Sequence, residues 1–158
     1  MSCSGSNALV IAVVCLLATA CATGGPSMDV PEDFLQLRGG PAELKAITPD
    51  EGRLWVREFA DPERGDLSFW AQALQNDLAE NRGYDVAERS EVRDAAGRPG
   101  VLMECAVTFG GEPRGYLIAV FVIEGSGDHR IRVAEFAAAR SVYDSHVEAV
   151  KRSLATLR

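Results

Sequence analysis

The side chains with the chemistry for catalysis or metal binding are few in this chain, and they are scattered. Its two histidines are His129, beside the Gly-rich stretch 125–128, and His146, beside the apolar stripe of the last helical segment. A zinc site needs three or four nitrogen or sulfur ligands at compatible spacing, and no such set is legible. His129 therefore reads as a surface turn histidine and His146 as a helix-boundary residue. Ser141, Asp144 and His146 supply the groups of a nucleophilic triad. Asp144 and His146 lie two apart on a helical segment, however, and project to different sides, whereas working triads are assembled from separated segments. Ser141 is better used as a helix cap. Glu104 and Glu135 fall in strand patterns, where paired carboxylates can act as acid and base. Their period-two neighbours place them on solvated strand faces, cross-paired with Arg114, Arg130 or Arg132. The glycines at 39–40, 110–111 and 125–127 lack the strand-to-helix context and the lysine of a phosphate loop, and read as turns. No catalytic residue, metal ligand or cofactor site is predicted.

Cysteine is the residue whose placement does carry chemistry. Residues 1–28 contain no Asp, Glu, Lys or Arg, and Ala8 to Ala20 is apolar apart from Thr19. That run has the length of a signal-peptide core and is short of the roughly 20 apolar residues of a membrane-spanning helix. Leu17-Ala18-Thr19-Ala20-Cys21 follows, and it resembles the lipobox of bacterial lipoproteins, in which the cysteine thiol takes a diacylglyceryl group before cleavage. Two departures are visible: Leu17 stands one place early, with Ala18 in its slot, and the segment before Ala8 carries no Lys or Arg. Ala18-Thr19-Ala20 is also an A-x-A box for ordinary secretory cleavage. Both readings cut after Ala20 and differ in what Cys21 becomes; its position directly at the cut favours the lipidated form. The resemblance implies an outer-membrane lipoprotein facing the periplasm, since Ala22 follows the cysteine. Two or more acyl chains meet the requirement for stable anchoring.

After such a cut, Cys3 and Cys15 are lost, Cys21 is blocked and Cys105 remains without a partner, so no disulfide framework is predicted. Cys105 alternates with Val101, Met103, Val107 and Phe109 and is expected on a buried strand face. The 16 basic and 23 acidic residues all lie beyond the cut and give a formal charge of −7. That balance argues against nucleic acid and against electrostatic attachment to anionic lipid.

The elements that would position any site follow from periodicity. Residues 21–30 are small, polar and Gly/Pro-containing, and read as a tether; 31–158 read as one domain. Phe34 to Leu37, Glu43 to Thr48 and Leu54 to Phe59 are predicted strands. Leu67, Trp70, Ala71, Leu74 and Leu78 recur at three and four, predicting a helix to about Asn81 with Asp66 as N-cap and Gly83 as its stop. Tyr84 to Arg93, Val101 to Phe109, Tyr116 to Ile123 and Arg130 to Ala137 then make a four-stranded antiparallel meander, with Tyr116 to Ile123 covered on both faces. Tyr143, Val147, Val150, Leu154 and Leu157 mark a closing helix from Ser141. Trp55 and Trp70 fit the core pattern of their elements. The fold class is α+β, an antiparallel sheet packed with helices.

This layout resembles the PsbP-like fold, shared by the photosystem II extrinsic subunit, a nuclear Ran-binding protein and bacterial lipoproteins of the DcrB and LpqN types. The likeness rests on the Phe34-Leu35 opening, Trp55 to Phe59, Leu67 to Leu78, the Gly97-Arg98-Pro99-Gly100 hairpin, Tyr116 to Ile123 and Tyr143 to Leu157. It implies an α/β/α sandwich and a module that binds other proteins rather than a reaction. The expected function is thus a lipid-anchored, non-enzymatic adaptor that contacts an envelope protein. A carrier of a small apolar ligand or lipid, or an unrecognised hydrolase, is the alternative, and a pocket between sheet and helices would favour it.

Overall fold

The computed structural model describes residues 24–158 other than Ser126. The expected cleavage after Ala20, the expected lipid attachment at Cys21 and the expected signal segment lie outside the described residues.

Seven strands form one antiparallel sheet: β1 (Leu35–Leu37), β2 (Glu43–Ile47), β3 (Arg53–Ala60), β4 (Asp85–Arg93), β5 (Pro99–Phe109), β6 (Glu112–Glu124) and β7 (His129–Ala139). Their order is β1-β2-β3-β7-β6-β5-β4. The meander β4 to β7 is the one periodicity predicts, and Gly110 and Gly111, both at positive φ, make the two-residue turn that joins β5 to β6. The sequence does not reveal that β3 pairs along β7, Arg53 with Ala137 through Ala60 with Arg130, which welds the first three strands onto the meander.

One helix lies on each face, giving the α/β/α sandwich. Helix α1 (Leu67–Asn76) continues as a π-helical turn over Asp77–Asn81. Asp66 caps it, accepting from the Phe69 backbone N–H at 2.7 Å, and Gly83 ends it at φ +67°. Helix α2 spans Arg140–Leu154. Its N-cap is Ala139, with no side-chain cap bond, so Ser141 does not cap: strand β7 runs directly into the helix, which places Ser141 inside the first turn. Among the described residues no helix is long and apolar enough to cross a membrane.

The core has two halves. Under α2, Leu44, Val56, Leu117 and Phe136 pack with Val150, Leu154 and Leu157, and Met28 and Phe34 from the amino-terminal segment complete the cover. Under α1, Met103, Cys105, Ile118, Val120 and Val133 pack with Ala71 and Leu78. Each large side chain so buried contributes about 1.5–3 kcal/mol. β6 is covered on both faces, as its apolar run predicts. β5 is too, against the expectation of one solvated face, because Leu102 and Glu104 lie beneath α2. At Gly115 α2 lies close on β6: a Cβ there would stand 2.1 Å from the Tyr143 ring.

The carboxy-terminal half of the expected tether is part of the domain. Ser27 and Arg158 exchange two backbone bonds of 3.1 and 2.8 Å, the Asp29 N–H donates to Thr156 Oγ1 at 2.8 Å, and Met28 is buried. The composition of 21–30 suggested a linker; pairing with the chain end supplies the partners that composition cannot reveal.

Candidate functional site

Alternate residues of a strand share one face. Leu35 and Leu37 of β1, Glu43, Lys45 and Ile47 of β2, Arg53, Trp55, Arg57 and Phe59 of β3 and Glu135 of β7 therefore stand on the α1 side of the sheet. Helix α1 packs over β5 and β6 and leaves this half uncovered. Leu35 (67%), Leu37 (37%) and Phe59 (41%) are correspondingly exposed.

Trp55 is the centre of this face. The Arg57 guanidinium stacks on its ring at 3.9 Å, with Lys45 Nζ at 4.9 Å, and its indole N–H donates to Glu43 Oε2 at 3.0 Å. Glu43 also accepts from the Gly40 backbone N–H and from Lys45. Those bonds, the Gly40 bond first, hold its carboxyl down at about 2. Glu135 pairs with Arg57 and accepts from the Tyr116 hydroxyl at 2.5 Å. Burial, then the Glu135 charge, pushes the Tyr116 phenol up, so it remains a neutral donor. Tyr84 packs edge-on against Tyr116 at 5.1 Å. Glu43, Lys45, Trp55, Arg57, Tyr116 and Glu135 are thus fixed in place by one another.

Two grooves score the face. One of about 650 Å³ lies along Leu37, Lys45, Ile47, Pro49 and Trp55; the other, about 600 Å³, is lined by Arg53, Arg82, Arg114, Tyr84, Phe109 and Tyr116. They share Glu51 and Arg53 and so run into one another.

The residues singled out from sequence are not brought together. Glu104 and Glu135 occupy opposite faces, and neither pairs with Arg114, Arg130 or Arg132. Glu104 lies under α2, accepting from Tyr143 at 2.9 Å and from Lys151 at 2.5 Å. Arg130 and Arg132 bind the buried Glu58 on the α2 face instead. His129 is not a surface residue: the β3–α1 loop folds over the start of β7, the Asp61 N–H donates to the His129 carbonyl at 2.8 Å, and Asp61 Oδ2 stands 3.1 Å from the His129 ring. Asp61 also accepts from Trp70 Nε1 at 2.8 Å, which holds Trp70 half-buried at the edge of the α1 core. His146 lies within α2, 3.6 Å from Asp50 and edge-on to Phe34, while Asp144 pairs with Arg140. Cys105 is buried as expected, and burial pushes its thiol up to about 11. Trp55 is the misassigned aromatic, a half-buried surface platform rather than core. Sequence reasoning assigns no site role to Arg53, Arg57 or Arg82, and it treats Arg114 only as a cross-strand partner of a carboxylate. The signal was present in β3, where Arg53, Trp55, Arg57 and Phe59 alternate with Leu54 and Val56. Among the described residues no group of three His, Cys, Asp or Glu could hold a metal ion.

No protein-family model matches the chain, and no curated protein matches it. Solved structures do. LpqN of Mycobacterium tuberculosis, described as involved in cell envelope biogenesis, aligns with 85% of this chain and 84% of its own at 16% identity and a TM-score of 0.61. Cyanobacterial PsbP from Synechocystis aligns with 88% and 95% at 10% identity and 0.56. The Saccharomyces cerevisiae Ran-binding protein Mog1p aligns with 82% and 80% at 16% identity and 0.50. At these identities the likeness is one of backbone architecture, and on that ground the chain has the PsbP-like fold.

Proposed function

We propose that this chain is a lipid-anchored, non-enzymatic module of the bacterial cell envelope, cleaved after Ala20, held at the outer membrane through Cys21 and facing the periplasm, where it binds another envelope protein. The observation that carries the binding role is the uncovered half of the sheet. An aromatic platform, Trp55, stands there among fixed cations and exposed apolar residues, the composition that protein interfaces favour. LpqN, involved in cell envelope biogenesis, and Mog1p, a Ran-binding protein, share the fold and support this reading. The carrier alternative is favoured less, because the space between the sheet and each helix is filled by side chains of the two core clusters.

Two measurements test it. Cys21→Ser should release the protein from the membrane fraction and remove lipid mass from the amino-terminal peptide; an unmodified Cys21 on the mature wild-type protein replaces the anchor with plain secretion. A photo-crosslinking residue at position 59 should capture an envelope protein in cells, whereas one at Glu148, on the outer side of α2, should not. Equal capture from both positions would refute the open face as the binding surface.

A further inference from the structure

We infer that the groove at the end of the open face bounded by Arg53, Arg82 and Arg114 takes an acidic segment of a partner protein, one that also carries an aromatic or aliphatic side chain. The inference rests on the binding role proposed above and specifies its chemistry. The whole chain is acidic, at −7, yet this groove gathers three arginines from three separate elements: the start of β3, the end of the π-helical turn and the start of β6. Arg82 is tied to Asp77 at 2.7 Å. Arg53 and Arg114 form no ion pair among the described residues, and Glu51 is the one carboxylate among the groove's lining residues. Such a cluster focuses positive potential into a concave site, and guanidinium forks match carboxylates.

Two further features choose among anions. The lip is apolar and aromatic: Phe109 is 71% exposed and faces the groove with Tyr84 and Tyr116, so a ligand must bring an apolar side chain to use it. A volume of about 600 Å³ is also more than a single inorganic anion fills. Position argues against a membrane headgroup. Gly25 lies against Pro41 at the opposite end of the sheet, where β3 finishes at Ala60. The length of β3, roughly 23 Å at about 3.3 Å per residue, separates that end from Arg53. Cys21 is four residues before Gly25, a reach of at most about 14 Å, so the anchor proposed at Cys21 stays nearer that end of the sheet than Arg53 does.

The test uses the full-length protein in non-ionic detergent and a fluorescent peptide of repeating Glu-Phe-Asp units, with its Lys-Phe-Lys counterpart as control, read by anisotropy. The acidic peptide should bind, weaken as salt rises, and lose about tenfold or more in affinity in the Arg53→Glu, Arg114→Glu double variant. The Arg53→Lys, Arg114→Lys variant should retain most binding, and Arg152→Glu, on the outer side of α2, should change nothing. Equal binding of the lysine peptide, or unchanged affinity in the folded charge-reversal variant, overturns the inference. So does displacement of the peptide by inorganic phosphate at matched ionic strength or by phosphatidylglycerol in mixed micelles with the same detergent, or a groove closed by self-association. If the acidic peptide fails while crosslinking from position 59 still captures an envelope protein, the groove chemistry is wrong and the adaptor role stands. Loss of both removes both.

Discussion

The two faces of the sheet are built from the same alternating strands and finish differently. On the α2 side, a helix of 15 residues, Leu157 and the segment carrying Met28 and Phe34 cover the strands from β2 to β5. Charges caught there are forced to pair: Glu58 accepts from both Arg130 and Arg132, and Glu104 from Tyr143 and Lys151. On the α1 side, a helix of 10 residues and its π-helical turn cover β5 and β6, and the remaining strands present Lys45, Trp55, Arg57 and Phe59 to solvent. The closed face supplies most of the core, and the open face carries the exposed groups to which the proposed binding role is assigned. Stability and binding should therefore respond to mutation on opposite faces.

The sharpest way to break that contrast is to remove Glu58. Glu58→Ala leaves the buried Arg132 guanidinium without its carboxylate and should cost about 3–5 kcal/mol, read as a fall in the urea midpoint. Leu154→Ala should cost about 2–5 kcal/mol through loss of buried surface and the cavity left behind. Phe59→Ser, on the open face, should stay within about 0.5 kcal/mol while reducing partner capture. A destabilisation by Phe59→Ser comparable to that of Leu154→Ala would show that the open face belongs to the core.

Acid sharpens the comparison further. Glu43 has a folded-state value of about 2 against an ordinary 4.5, so the stabilisation its ionised form supplies is complete above 4.5 and is lost as pH falls from 4.5 toward 2. Glu43→Gln should therefore be less stable than wild type at pH 6, and the difference should vanish near pH 2; a difference that persists there would assign Glu43 a role in packing instead. The smallest effect belongs to Cys105, whose thiol is buried and raised to about 11. It should resist a polar thiol reagent at pH 8 in the native protein and react once the chain is unfolded, and rapid native labelling would place it on an accessible surface.

What the sequence by itself determined was local. The three-and-four spacing of Leu67 to Leu78 and of Tyr143 to Leu157 dictates two helices, Asp66 and Gly83 bound the first, and the alternation around Met103 and Cys105 buries the thiol, because each signal lies within a few residues of the structure it specifies. Even there, strand alternation announces two faces without saying which will be covered. That was decided by tertiary structure: β3 pairing along β7, α1 ending short of β3, the β3–α1 loop closing over His129, and Glu135 meeting Arg57, 78 residues away in the chain. Burial of a strand face depends on what another segment lays upon it. Such contacts are set by the summed free energy of the whole core, so they cannot be read from the residues of the strand alone.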